Sequence, residues 1–159
     1  MGNMLKNRAF LIMTAITVLF ISFIFLHSSM TGDTSSNESS SVLVFVQSII
    51  DALCIPITLS ELLIRKVAHF SEFAVLGVLV STTFYVYDKT FKKYIKRLLS
   101  VFFICLATAV TDETIQLFVP GRSGQVSDVL IDFSGAFTGV IIVSVILMII
   151  CRKKTKNRN

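Results

Sequence analysis

The chain has 159 residues, 53% hydrophobic and 16% charged, with a formal net charge of +5. An average soluble domain is about 25% charged, so this chain has too little charge to cover a water-soluble globule. Two Pro, seven Gly and no Trp also exclude collagen-like, Pro-rich and disordered classes.

The first apolar run covers residues 9–26, after Lys6 and Arg8. A secretory leader normally has an apolar stretch of only ~7–15 residues ending in small residues. This run is longer, and His27-Ser28-Ser29-Met30 is a poor cleavage site, so an uncleaved membrane span is expected. Residues 28–41 contain nine Ser or Thr and read as an exposed flexible linker. Residues 42–53 are apolar but too short to cross a bilayer, and they carry Gln47 and Asp51. An interfacial or re-entrant helix is expected there, broken by Pro56. Thr58-x-x-Glu61 matches a capping box and should start the next long helix. Three further apolar runs follow at residues 67–87, 98–119 and 129–151, each near the ~20 residues that span ~30 Å of hydrocarbon. The runs are continuous rather than alternating, so they are helices. Pro120 should stop the third, with Gly121 and Gly124 allowing a tight turn. The expected fold is a single all-α membrane domain of four spans, plus one short helix in the first outer loop.

Four spans put the N-terminus, the 88–97 loop and the C-terminal tail on one side. That side holds twelve of the fifteen Lys and Arg; only Arg65, Lys66 and Arg122 fall on the other. The bias predicts cytoplasmic termini. Nine of the ten acids sort the opposite way, leaving Asp88 alone inside. The basic segments therefore read as orientation signals that also meet anionic lipid, and no nucleic-acid partner is expected. Three cysteines, Cys54, Cys105 and Cys151, exclude a fully paired disulfide framework and read as small apolar fillers.

The polar residues inside the spans are the informative ones. Arg65, His69, Glu72 and Leu76 are spaced by 4, 3 and 4, which places them on one helical stripe, with Lys66 beside His69. Asp112, Glu113 and Gln116 sit near the end of the third run. Asp128, Asp132, Gly135 and Gly139 repeat the 4, 3, 4 spacing on the fourth. An ionised side chain at mid-membrane costs roughly 2.5–3.5 kcal/mol. A shared interior cluster is cheaper than scattered charges, so Arg65, Lys66, His69 and Arg122 should offset Glu72, Asp112, Glu113, Asp128 and Asp132 in one outer layer. Gly135-x-x-x-Gly139 would let another backbone approach that stripe closely. Gln116 reads as a helix-to-helix hydrogen bond, and Asp33 and Glu38 as solvated loop charges.

At these residues the chain resembles a known family. Arg65 to Gly77, with Lys66, His69, Glu72 and Phe73, is similar to the Lys-x-x-His-x-x-Glu-Tyr/Phe signature of VanZ-like membrane proteins. Asp112 to Arg122, followed by Asp128 and Asp132 through Gly139, resembles that family's second signature. Residues 25–41 are similar to its Ser-rich first outer loop, although His27 to Thr31 match more loosely. Asp132 stands where the family more often has Asn. The resemblance implies a small protein of the bacterial cytoplasmic membrane, from a family named for a component associated with low-level teicoplanin resistance.

Two functions are in contention. The first is a non-enzymatic protein whose outer pocket binds a polar envelope ligand: a lipid headgroup, a lipid-linked cell-wall precursor or a glycopeptide. Lys66, His69 and Arg122 would contact phosphate or carboxylate, oriented by Glu72, Glu113 and Asp128. The second is an intramembrane enzyme working by a metal or by acid–base chemistry on a lipid or lipid-linked headgroup. No resident cofactor is expected. Were a cation held, His69, Glu72, Glu113 and Asp128 would be its candidate ligands, and a carboxylate-rich set suits Mg²⁺ or Mn²⁺. The His-Glu-x-x-His zinc pattern is missing, and no second intramembrane His is expected. No Gly-x-Ser-x-Gly or Cys–His nucleophile is evident. The binding reading is preferred. Pure structural glue is a modest return for so many charges, since buried polar pairs in membranes average only ~0.6 kcal/mol.

Overall fold

The computed structural model describes residues 2–156, with side chains described for residues 8–154. The side chains of Lys6, Lys156 and Arg158, used above for orientation, lie outside that set. The described residues form helices α1 (Gly2–Ser28), α2 (Gly32–Ala52), α3 (Glu61–Asp88), α4 (Phe91–Lys96), α5 (Leu98–Gln116) and α6 (Val126–Lys156). Four of them, α1, α3, α5 and α6, are long and apolar enough to cross a membrane, and the chain is a multi-pass membrane protein. Large apolar side chains such as Leu11, Leu99, Phe103 and Leu130 point outward, as a lipid-facing surface requires.

Helix α3 is the centre of the bundle, and α1, α2, α4, α5 and α6 all pack on it. Its closest neighbour is α6, for a reason written in small residues. A Cβ at Gly135 would overlap the Phe70 carbonyl, one at Gly139 the Ala74 carbonyl, and one at Gly77 the Ala136 carbonyl. The two backbones therefore touch, as the Gly135-x-x-x-Gly139 spacing predicts. Behind this seam Phe73, Leu76, Val80, Val101, Cys105, Ala109, Ala136 and Val140 form the apolar core with Ile24 of α1. Thr17 and Thr83 share a buried hydrogen bond of 2.9 Å between α1 and α3. At the far end the Tyr94 hydroxyl of α4 meets Ser144 of α6 at 2.9 Å.

Three local expectations are corrected. Residues 28–41 are not a flexible linker, because α2 begins at Gly32 and runs unbroken to Ala52. The Thr31 hydroxyl accepts from Thr34 N–H, Gly32 N–H donates to Pro120 O at 3.0 Å, and Ser35 and Ser39 are buried. Small hydroxyl residues that favour turns alone become helical once a neighbour gives them a surface to pack on. Secondly, α3 is capped by Ser60, whose hydroxyl accepts from Leu63 N–H at 3.2 Å, and not by Thr58. Thirdly, α5 ends at Gln116, short of Pro120. The chain tightens there into three-residue bonds, Phe118 N–H to Ile115 O and Val119 N–H to Gln116 O, as happens when a helix closes down.

Candidate functional site: a polar cluster at one end of the bundle

The ends of α1 and α5 and the starts of α3 and α6 lie together. Part of this is fixed by a close backbone contact. The α1–α2 joint meets the α5–α6 turn where Gly32 lies against Gly121. Gly121 has a φ of +76°, in the left-handed region that only glycine enters cheaply.

Of the ten polar residues singled out in the sequence, eight line one cavity of about 70 Å³: Arg65, Lys66, His69, Glu113, Gln116, Arg122, Asp128 and Asp132. Asp112 and Glu72 do not line it; Asp112 accepts from Gln116, and Glu72 faces His27. Lys66 Nζ reaches Asp128 Oδ1 at 2.8 Å, tying α3 to α6. The Gln116 amide donates to Asp112 Oδ2 and Glu113 Oε1, each at 3.1 Å, and to Ser28 Oγ at 3.3 Å. Only the Ser28 bond runs between helices, from α5 to α1, as expected of Gln116; the other two lie within α5. Glu113 Oε2 accepts the Gln125 N–H at 2.9 Å, so this carboxylate secures the approach to α6.

The interior of the cluster is far less satisfied. Asp112 is 0% exposed and Asp132 1% exposed. Both Asp132 oxygens, Asp112 Oδ1, Glu72 Oε2 and His69 Nδ1 are buried without a hydrogen-bond partner among the described residues. His69 Nδ1 lies 3.9 Å from Asp112 Oδ2 and 3.8 Å from Asp132 Oδ1, too far for hydrogen bonds. Of the four cation candidates only His69 belongs to the group whose ligand atoms all lie within 4.8 Å of one another; its companions are Asp112 and Asp132. Asp128 is engaged by Lys66, Glu113 by Gln116 and Gln125, and Glu72 faces His27.

Arg122 is also unsatisfied. All three guanidinium nitrogens are buried without a partner among the described residues. Burial draws its pKa below the ordinary value and the charge of Arg65 adds to this, while Asp112, Glu113 and Glu38 oppose it. The guanidinium stays charged regardless.

Three residues at the cluster were missed in the sequence: His27, Ser28 and Glu38. His27 closes the last turn of α1, so a second histidine does lie in a membrane-spanning helix. Its Nδ1 is 3.1 Å from Glu72 Oε1, off the hydrogen-bond direction, and its Nε2 is 3.3 Å from Glu38 Oε2. Glu38 is thus a partner of His27 and not simply a solvated loop charge. The available signal was a histidine directly after an apolar run. Ser28, next to it, is 1% exposed and accepts from Gln116.

A second, apolar groove of about 500 Å³ runs between α2 and α3 past Val42, Val46, Leu63, Val67 and Ala68. Arg65 and His69 line both this groove and the polar cavity.

A family model described as VanZ/LLP1 matches residues 11–148. No curated protein and no solved structure matches the chain.

Proposed function

We propose that this chain, which belongs to the VanZ/LLP1 family, binds the phosphate-bearing headgroup of a membrane lipid or lipid-linked envelope precursor in its polar cavity. One observation carries this reading: the Arg122 guanidinium, buried with none of its three nitrogens partnered among the described residues. An unsatisfied buried charged donor costs more than the roughly 1–3 kcal/mol of a neutral one. A phosphate or carboxylate accepting two parallel N–H bonds offsets that cost. Arg65 supplies a second cation on the same wall. The adjoining groove of about 500 Å³ suits an alkyl chain, so one amphiphile would occupy both spaces. The several carboxylates favour a single phosphate over a highly charged group.

The setting for this activity is a bacterial cytoplasmic membrane with both termini cytoplasmic and the cavity in the outer leaflet, as the Lys and Arg bias supports. A cavity of about 70 Å³ suits a phosphate group and not a glycopeptide. A contribution to teicoplanin resistance would therefore run through a lipid-linked precursor. A second reading, metal-dependent or acid–base chemistry on the same headgroup, is favoured by the unsatisfied group of His69, Asp112 and Asp132.

The test is native mass spectrometry of the purified chain in detergent with phosphatidylglycerol, undecaprenyl phosphate or phosphatidylcholine. Preferential retention of a phosphate monoester or an anionic diester, reduced about tenfold by Arg122→Gln, supports the reading; a tenfold loss is about 1.4 kcal/mol. Equal retention by both proteins overturns it.

A further inference from the structure

We infer that His69, Asp112 and Asp132 form a binding site for a divalent cation that accepts mixed nitrogen and oxygen ligands. The three residues come from α3, α5 and α6, so the site exists only in the assembled bundle. Their ligand atoms lie within 4.8 Å of one another. The two measured separations, 3.8 and 3.9 Å, are too long for hydrogen bonds. They fall within the roughly 4.2 Å that two metal–ligand bonds of about 2.1 Å can bridge.

The second observation is the state of the side chains. Asp132 is 1% exposed, and neither of its oxygens has a hydrogen-bond partner among the described residues; Asp112 is 0% exposed with Oδ1 likewise without one. Buried carboxylates are normally hydrogen-bonded, paired with a charge or bound to a metal. His69 Nδ1 also has no hydrogen-bond partner among the described residues and lies within 4 Å of both acids. Lys66, the nearby ammonium, is spent on Asp128, and Gln116 reaches only Asp112 Oδ2 of the two. A cation at this point neutralises two acids and engages two orphaned atoms, His69 Nδ1 and Asp132 Oδ1, together with Asp112 Oδ2.

One imidazole and two carboxylates suit Mn²⁺ better than an all-oxygen ion such as Ca²⁺. Three protein ligands leave coordination positions open. His69 and Asp132 border the cavity that Arg122 also lines, so those positions would face a ligand held there. The site does not require the lipid reading. Cation uptake in lipid-free micelles tests it alone, and lipid retention in EDTA tests the headgroup reading alone.

The experiment is Mn²⁺ binding to the purified full chain, followed by loss of the free-ion paramagnetic resonance signal and by metal analysis after equilibrium dialysis. Wild type should bind one Mn²⁺ per chain. Asp132→Asn and Asp112→Asn should each weaken binding by tenfold or more, while Asp51→Asn, an acid on α2, leaves it unchanged. Mn²⁺ should also raise the unfolding temperature of wild type more than that of Asp132→Asn, because a ligand bound to the folded state stabilises it. No saturable binding by wild type at millimolar Mn²⁺, or equal binding by wild type and a monodisperse Asp132→Asn protein, overturns the site.

Discussion

The imidazole of His27 stacks on that of His69, with centroids 6.2 Å apart and planes inclined by 24°. The contact joins the last turn of α1 to the charged stripe of α3. His27 also lies 3.1 Å from Glu72 Oε1, one turn further along α3. The first span is thereby tied to the cluster at its polar end, and it is tied again at mid-length by Thr17 and Thr83.

That pairing makes a non-additivity prediction. Alanine at His27 or at Glu72 should each destabilise the protein by roughly 0.5–2 kcal/mol. The double variant should lose less than the summed cost, because the second change removes a partner already lost. Thermal unfolding in detergent measures all three. Strict additivity would mean that the two side chains do not act on one another.

The α3–α6 seam should be intolerant of a single methyl group. Gly77→Ala and Gly135→Ala each place a Cβ on a backbone carbonyl, of Ala136 and Phe70 respectively. Neither carbonyl is the end of a flexible side chain, so the helices must separate, at roughly 1–3 kcal/mol. Thr138→Ala, on the exposed face of α6, is the control and should change stability little. An unchanged melting temperature for both glycine variants would contradict the close packing.

The groove between α2 and α3 should matter for chain-bearing ligands alone. Ala68 is exposed along its wall, and Ala68→Trp would fill it. Retention of a long-chain lipid phosphate should fall about tenfold, or about 1.4 kcal/mol. Binding of inorganic phosphate in the polar cavity should be unaffected. If both fall together, the groove and the cavity are not separate subsites.

Orientation can be read with reporters. Green fluorescent protein at either terminus should fluoresce, and alkaline phosphatase inserted near Ile57, between α2 and α3, should be active outside. The reverse pattern would invert the bundle and move the polar cluster to the cytoplasmic leaflet.

The cluster was legible where helical spacing alone specified it. Arg65, His69 and Glu72 share a face because residues four and three apart must do so in any helix. His27 and Glu38 were not legible, because their relevance depends on where α1 ends and on α2 being a helix at all. Serine and threonine carry no local helical signal strong enough to show that; the packing of Ser35 and Ser39 decided it.

Apolar run length, the Lys and Arg distribution and the 4, 3, 4 spacings determine four spans, an expected orientation and a polar stripe on each of two helices. These properties are local, so the chain displays them before it folds. Which carboxylate meets which base is not local. His69 faces Asp112 and Asp132, while Lys66 takes Asp128 and the Gln125 amide takes Glu113. Those partners depend on the rotation of each helix about its axis, which the glycine contacts between α3 and α6 set to within a fraction of a turn.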